Sequence, residues 1–175
     1  MQTEYYQHPQ RFPRNVAGPF YTTGGQFNTT NDPGSPLIWC ADCLSCEAPE
    51  YEAPDLLAPL NDQNYDTFFV RQPESSEEIE RACQALTVCC NAALRYGGKN
   101  ISIIQRLGNN PELCDYIIDH GGNLLLVIDT AGDLLPFAKE IVSLIRQERE
   151  RQWQLAKPRK WWQFWCRKHK QSIDN

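Results

Sequence analysis

Three cysteines stand at intervals of three residues in the first third of the chain, at Cys40, Cys43 and Cys46. This C-x2-C-x2-C motif can place three thiolates around one point from a single short loop. A cubane iron–sulfur cluster uses such a loop together with a fourth thiolate from elsewhere in the chain. An adjacent pair, Cys89-Cys90, follows later in the sequence. The motif therefore predicts a metal centre that is held by thiolates.

A structural zinc site is the main alternative to an iron–sulfur cluster. Structural zinc sites more often combine two C-x2-C pairs, or one pair of cysteines with one pair of histidines. The three histidines of the chain are His8, His120 and His169, and none of them has the paired spacing of zinc ligands. The spacing therefore favours iron–sulfur over zinc, and also over cysteines that bind no metal.

Eight cysteines among 175 residues indicate metal or redox chemistry rather than a disulfide framework, because no secretory signal accompanies them. No stretch approaches the roughly 18 apolar residues that a membrane-spanning helix requires. We therefore expect a cytoplasmic protein of one domain with an appendage. The cysteines outside the motif and the pair are expected to be buried or incidental thiols: Cys83, Cys114 and Cys166.

Charge is distributed unevenly along the chain. Residues 1–133 contain 7 basic and 18 acidic residues, a net charge of −11, whereas residues 134–175 contain 10 basic and 4 acidic residues, a net charge of +6. Segment 157–170 combines six of the basic residues with three tryptophans and no acid. Such a segment suits the surface of an anionic membrane or a protein partner, and both interpretations stay open. Stacking on nucleic acid is the less favoured chemistry.

The apolar periodicity and the turn residues predict an α+β fold. Ser75 or Ser76 caps a helix in which apolar residues recur at helical spacing and face a core. A second long helix, over 134–155, has one apolar stripe and becomes charged beyond Arg146. Shorter helical segments are predicted over 53–57, 101–107 and 111–118. Strands are predicted over 19–23, 66–70, 92–96 and 123–128, the last of them buried.

The segment from about Pro19 to Tyr96 resembles a single-cluster bacterial-type ferredoxin, whereas residues 97–175 have no counterpart in that family. The resemblance rests on the cysteine motif, on Ala53-Pro-Asp-Leu-Leu after it, and on Gln72-Pro-Glu-Ser-Ser-Glu-Glu, which leads a helix into the last cysteines. Glu50 stands where two-cluster members have a further cysteine. The resemblance implies one cluster and a ferredoxin-like small sheet with packed helices, which a helical C-terminal region extends.

The resemblance also implies a ligand set for a [4Fe–4S] cluster. Matched by position, Cys40, Cys43 and Cys46 bind three of the irons and Cys89 binds the fourth. The family has a proline after its last ligand, and Cys90 occupies that position in this chain. Cys90 is therefore the alternative fourth ligand, since adjacent side chains of an extended segment point to opposite sides.

The expected function is one-electron transfer, with no bond chemistry and no catalytic residues in the protein itself. Acidic residues around the motif suit the docking of a basic surface on a reductase or an oxidase. The alternatives are a non-redox interaction module with zinc or free thiols, and an iron–sulfur redox sensor. The acidic residues are Asp42, Glu47, Glu50, Glu52 and Asp55.

These predictions divide the chain into four parts. Residues 1–18 are expected to be a flexible N-terminal arm, and residues 19–96 a ferredoxin-like cluster domain. Residues 97–156 are expected to form an α/β extension that ends in a long amphipathic helix. Residues 157–175 are the basic, tryptophan-rich tail.

Overall fold

The computed structural model describes residues 5–28, 35–44, 46–61 and 64–156, and it confirms the α+β class. Small antiparallel sheets are combined with helices, of which the last ends the described chain. The described strands are β1 (Phe20–Thr22), β2 (Gly24–Asn28), β3 (Leu37–Ala41), β4 (Leu57–Asn61), β5 (Asn64–Phe69), β6 (Leu94–Tyr96), β7 (Tyr116–Ile118) and β8 (Leu124–Leu126). The described helices are α1 (Ala48–Glu52), α2 (Ser76–Val88), α3 (Ile101–Arg106) and α4 (Pro136–Ala156).

Within the described residues, each strand pairs with a single neighbour, in four two-stranded antiparallel sheets. Three of these sheets join consecutive strands: β2 with β3, β4 with β5, and β7 with β8. The fourth joins β1 to β6 and places Phe20 opposite Tyr96. Next to β1, the backbone N–H of Thr23 donates to the carbonyl of Ala93 over 2.8 Å. The β1–β6 pair therefore closes a long loop that contains the C-x2-C-x2-C motif and the Cys89-Cys90 pair.

Helix α2 begins where its sequence predicts. Ser75 is the N-cap and accepts a hydrogen bond from the N–H of Glu78, while the Glu78 carboxylate accepts one from the N–H of Ser75. This reciprocal capping box satisfies two N–H groups that the helix itself leaves unpaired. The buried face of α2 comprises Ala82, Cys83, Ala85 and Leu86.

Two hydrophobic clusters form the core of the described residues. In the larger cluster the buried face of α2 packs with Phe20, Phe69, Leu94 and Ile104, which come from β1, β5, β6 and α3. In the smaller cluster Ala138 of α4 packs against Ile117, Val127 and Ile128. The side chains of residues 146–156 are exposed, as expected from the charged sequence beyond Arg146.

The described part of the N-terminal segment contacts the core without forming a helix or strand. Phe12 is buried, and the Asn15 side chain links three parts of the chain. The Oδ1 atom of Asn15 accepts the N–H groups of Thr22 and Phe69, at 3.0 and 3.1 Å. Its amide nitrogen donates to the carbonyl oxygens of Phe12 and Thr22. One side chain thus satisfies backbone groups at the ends of β1 and β5.

A buried ion pair lies between β6 and the start of β7. The Arg95 guanidinium donates to the Asp115 carboxylate, with Nε and Oδ1 2.9 Å apart, and Asp115 is fully buried. The Tyr21 hydroxyl also donates to this carboxylate. The Nη1 and Nη2 atoms of Arg95 donate to three backbone carbonyls, those of Pro111, Glu112 and Cys114. The charged groups are paired and hydrogen-bonded, as buried charges must be.

Two predicted helical segments are wrong. In segment 53–57, residues 54–56 form a turn and Leu57 begins β4, while the helix lies earlier, at Ala48–Glu52, with Pro49 in its first turn. In segment 111–118 the N–H groups of Leu113 and Cys114 both donate to the carbonyl of Asn110, after which the chain enters β7. Apolar residues at these positions fit the spacing of a helix or of a strand. The backbone hydrogen bond from the N–H of Asp115 to the carbonyl of Tyr96 holds the chain in an extended form as it enters β7.

The predicted strand over 123–128 is present as β8, but its burial differs from the prediction. Its three leucines are half-buried or exposed, and the buried side chains are those of Val127 and Ile128, which follow the strand.

Contacts divide the chain into two units, Met1–Val142 and Ser143–Asn175. None of the helices in the described residues is long and apolar enough to cross a membrane.

Candidate metal centre

Cys40 is positioned by the β2–β3 sheet, in which it lies opposite Gly25 and is half-buried. The neighbouring pair of this ladder is Gly24 with Ala41. A Cβ atom on Gly24 would collide with the carbonyl oxygen of Cys40, so the absence of a side chain lets the two backbones approach closely. The N–H of Ala41 donates to the buried carboxylate of Asp66 over 3.0 Å. These contacts fix the first cysteine of the motif on a paired strand.

The other two cysteines of the motif lie between β3 and α1. Cys43 is half-buried and Cys46 is exposed. Glu47, the residue after Cys46, is the N-cap of α1 and has a left-handed backbone with φ of 57°. This conformation turns the chain sharply from Cys46 into the helix, where Pro49 is favoured in the first turn.

Cys89 and Cys90 follow the last residue of α2 and have different surroundings. Cys89 is the C-cap of the helix, is half-buried and packs against the larger hydrophobic cluster. Cys90 is exposed in the turn that follows. The N–H of Ala92 donates to the carbonyl of Cys89 over 3.2 Å, and Ala92 has a positive φ of 50°. The turn therefore separates the two adjacent thiols, one towards the core and one towards solvent.

The fold brings the end of the motif to the end of α2. The Sγ atoms of Cys46 and Cys90 are 3.7 Å apart, although the residues are separated by 44 positions. Beside them, the Asn91 side chain donates to the backbone carbonyl of Asp42 over 2.6 Å. The pKa of the Cys90 thiol is raised. The hydrogen bond from Cys90 to Cys46 is the largest cause, and burial raises the pKa further. Sequence reasoning missed Asn91, because nothing in its local sequence signals this contact.

The donor set fits a thiolate-bound metal in type and number, since five thiols belong to two neighbouring segments. None of the seven described cysteines forms a disulfide. Within the described ranges, no three Cys, His, Asp or Glu side chains are gathered closely enough to hold a metal ion. The structure thus brings together one pair of the predicted ligands, Cys46 and Cys90. Cys40, Cys43 and Cys89 lie on the same two segments without joining that pair in one group.

Two cysteines outside the motif match their prediction as buried thiols. Cys83 is 2% exposed and Cys114 is fully buried. Burial raises the pKa of Cys83 to about 11 and that of Cys114 to about 12, so neither is a thiolate at neutral pH. The third, Cys166, lies outside the described residues. Of the histidines, His8 is buried and His120 is exposed. Neither belongs to a cluster of potential metal ligands within the described chain.

An apolar groove of about 850 Å³ begins at Cys46. We call this surface the Cys46 groove. The sequence analysis did not predict a groove at this position. Its most prominent side chain is Tyr51, which is 87% exposed. The charged side chains among its lining residues are all acidic. The Cys46 groove comprises Cys46, Glu47, Ala48, Glu50, Tyr51, Glu52, Pro54, Pro59 and Val88.

The acidic residues predicted to surround the motif do not all face solvent as free charges. Asp55 pairs with Arg71 and Arg81, and Arg81 is the main cause that lowers the pKa of Asp55. Glu50 is half-buried and accepts a hydrogen bond from the Thr67 hydroxyl. Two of the five acids are thus held by other side chains, and the pairing of Asp55 with two arginines weakens the negative field that the sequence predicts.

The basic, tryptophan-rich segment at residues 157–170 lies outside the described residues.

Comparison with known protein families, with curated proteins and with solved structures gives no match. The function of this chain must therefore be argued from its own residues.

Proposed function

We propose that this chain is a one-electron carrier that binds a single [4Fe–4S] cluster through Cys40, Cys43, Cys46 and Cys90. The observation that supports this best is the 3.7 Å contact between the sulfurs of Cys46 and Cys90. A three-cysteine loop needs a fourth thiolate from elsewhere in the chain, and Cys90 lies close enough to be that ligand. The two sulfurs would have to move apart to bind different irons. When bound, such a cluster supplies a one-electron couple whose potential depends on hydrogen bonds to the sulfurs and on burial.

The choice of Cys90 over Cys89 rests on the surroundings of the two thiols. Cys89 packs against the hydrophobic core, and reaching the motif would require it to leave that contact. Cys90 is exposed and already touches Cys46. The resemblance to ferredoxins predicts Cys89 by position alone, and mutagenesis distinguishes the two.

The residues of the chain would serve the centre in three ways. The β2–β3 pairing holds Cys40, and the bond from Asn91 to the Asp42 carbonyl keeps the motif segment next to the end of α2. The Cys46 groove offers an apolar surface with acidic residues at its margin. Such a surface suits a redox partner, a reductase or oxidase, that presents apolar side chains among basic ones.

Recruitment by the basic, tryptophan-rich segment is a separate part of the proposal, and its support is the sequence of residues 157–170 alone. The tail suits an anionic membrane surface. Co-sedimentation of the full chain with phosphatidylserine vesicles tests it. Binding should fall with rising salt and in a variant with Trp161, Trp162 and Trp165 changed to alanine. Equal sedimentation of the variant would contradict the membrane proposal.

The first test of the carrier is the absorbance spectrum of the full chain purified without oxygen, with iron, sulfide and zinc analysis. The proposal expects a broad band near about 400 nm that bleaches on reduction, with roughly four irons per chain. A colourless protein without iron would overturn it.

The ligand assignment is tested by matched serine variants. Cys90→Ser should lower the iron content strongly, whereas Cys89→Ser should leave most of it. The Cys83→Ser variant is the control, because Cys83 is buried in the face of α2 and lies outside the proposed ligand set. Circular dichroism should establish that each variant is folded. If Cys89→Ser lowered the iron content more than Cys90→Ser, Cys89 would be the fourth ligand, as the resemblance implies.

A structural zinc site is the second candidate function, because one observation favours it. Four sulfurs at about 2.3 Å from zinc stand roughly 3.8 Å apart at the corners of a tetrahedron. The observed separation of the Cys46 and Cys90 sulfurs is 3.7 Å, close to that edge. One zinc per chain and no iron would select this candidate, and the protein would then be an interaction module rather than a carrier.

A further inference from the structure

We propose that Cys46 and Cys90 form a reversible disulfide when the protein meets a peroxide. Their sulfurs are 3.7 Å apart, compared with about 2.05 Å in a disulfide bond. Closing the gap requires a movement of about 1.7 Å, which two side-chain rotations and a small backbone shift can supply.

The backbone on both sides of the pair can accommodate this movement. Cys46 lies in the irregular segment before α1, and Cys90 lies in the turn after α2, so neither N–H belongs to a strand ladder or a helix interior. Both thiols are exposed, so an oxidant in solution can reach either sulfur.

The other described cysteines are less suited to pair with either member. Cys83 and Cys114 are buried, and Cys89 packs against the core. Cys40 is held on the paired strand β3. Cys43 is half-buried, whereas Cys46 and Cys90 are both exposed. The geometry therefore selects one pair among the described thiols.

The chemistry balances with hydrogen peroxide as the oxidant. The sulfur of one cysteine takes an oxygen from peroxide and becomes a sulfenic acid, and one water is released. The sulfur of the second cysteine attacks the sulfenic sulfur, the S–S bond forms, and the hydroxyl group leaves as a second water. Two thiols lose two electrons and two protons, and one peroxide is reduced to two waters. A small dithiol reverses the reaction by thiol–disulfide exchange.

The regulatory consequence rests on the proposed function, whereas the disulfide itself does not. The bond would occupy two of the four proposed ligands, so cluster binding and the disulfide would exclude each other. Peroxide would then convert an electron carrier into a form that cannot bind its cluster until it is reduced.

The test uses the full chain with its iron, sulfide and zinc contents measured beforehand. Protein is treated with hydrogen peroxide, alkylated, and digested with trypsin without reduction. Cleavage after Arg14, Arg71, Arg81 and Arg95 places Cys46 in peptide 15–71 and Cys90 in peptide 82–95. A linked species of these two peptides, two hydrogens lighter than their sum and separated by dithiothreitol, is the expected product.

Serine variants assign the bond, because each peptide contains other cysteines. The linked species should disappear in Cys46→Ser and in Cys90→Ser, and should persist in Cys89→Ser and Cys43→Ser. Survival of the link in Cys90→Ser would overturn the proposal. So would its absence in the wild-type chain when iodoacetamide shows both thiols to be accessible.

The metal analysis keeps this result distinct from the test of the carrier. A link in protein that never contained iron supports the disulfide and contradicts the carrier. Iron-loaded protein that loses its iron to peroxide without forming the link supports the carrier and contradicts the disulfide.

Discussion

Arg95 and Asp115 form an ion pair inside the core, with Nε of Arg95 2.9 Å from Oδ1 of Asp115. Replacing Asp115 by alanine would leave the guanidinium buried without its counter-charge and the Tyr21 hydroxyl without its acceptor. We expect the free energy of unfolding to fall by about 3–5 kcal/mol. Urea denaturation followed by circular dichroism measures it.

The control for this prediction is an exposed ion pair of α4. Arg151 and Glu148 are bonded over 2.8 Å on an exposed surface of the helix. Glu148→Ala should lower the unfolding free energy far less than Asp115→Ala does, because water solvates both partners. Equal losses in the two variants would show that burial does not determine the strength of the Arg95–Asp115 pair.

His8 should make the fold sensitive to mild acid. Burial lowers the pKa of His8 to about 4, while the carboxylate of Asp115 opposes that shift. The unfolded chain protonates this histidine near pH 6.5, whereas the folded chain does so only near pH 4. The free energy that His8 contributes to folding is therefore fully present above pH 6.5. It declines as the pH drops to about 4, and the free energy of unfolding falls by up to about 3 kcal/mol.

The comparison for this prediction is the His8→Gln variant, which retains a hydrogen-bond acceptor for the N–H of Gln10. Urea midpoints measured at pH 7.5, 6, 5 and 4.5 should decline less in the variant than in the wild-type chain. Parallel declines would assign the acid sensitivity to carboxylates instead.

The capping box of α2 should contribute measurably to stability. In Ser75→Ala the N–H of Glu78 loses its acceptor, and we expect a loss of about 1 kcal/mol. Ser76→Ala is the matched control, because Ser76 is exposed in the first turn and no capping bond depends on it. Urea denaturation of the two variants should separate them, and equal effects would contradict the role of Ser75.

Gly24 should be required for the position of Cys40. An added Cβ would meet the carbonyl oxygen of Cys40 and come within 3.1 Å of the Ala41 Cα, both of them backbone atoms. Gly24→Ala should therefore cost about 1–3 kcal/mol. Gly25→Ala should cost less, because its Cβ would meet the exposed ring of Phe27 at 3.2 Å, and that ring can rotate away. Thermal unfolding of both variants checks the order.

The elements that sequence reasoning located correctly have strong local signals. Helix α2 has both a capping sequence and regularly spaced apolar residues, and its N-cap is Ser75, one of the two serines that the sequence offered. Segment 111–118 also begins with a capping residue, since the Asn110 side chain accepts the N–H of Glu112, but its apolar residues fit a helix or a strand. A long-range contact decided its structure, since the N–H of Asp115 donates to the carbonyl of Tyr96.

The candidate site was likewise only partly predictable from the sequence. The motif could be identified from spacing alone, because its three cysteines lie on one short segment. The contact of Cys46 with Cys90 could not, because it depends on how α2 and the motif segment pack together. The difference between Cys89 and Cys90 depends on the geometry at the end of α2, where one thiol caps the helix and the next follows it.

The β1–β6 pair has a consequence for synthesis of the protein. A ribosome adds roughly 5–20 residues per second. Cys46 precedes Cys90 by 44 residues, so its thiol leaves the ribosome about 2–9 seconds earlier. Phe20 cannot pair with Tyr96 until still later. The three thiols of the motif therefore leave the ribosome before Cys90 does, and the contact of Cys46 with Cys90 forms late in synthesis.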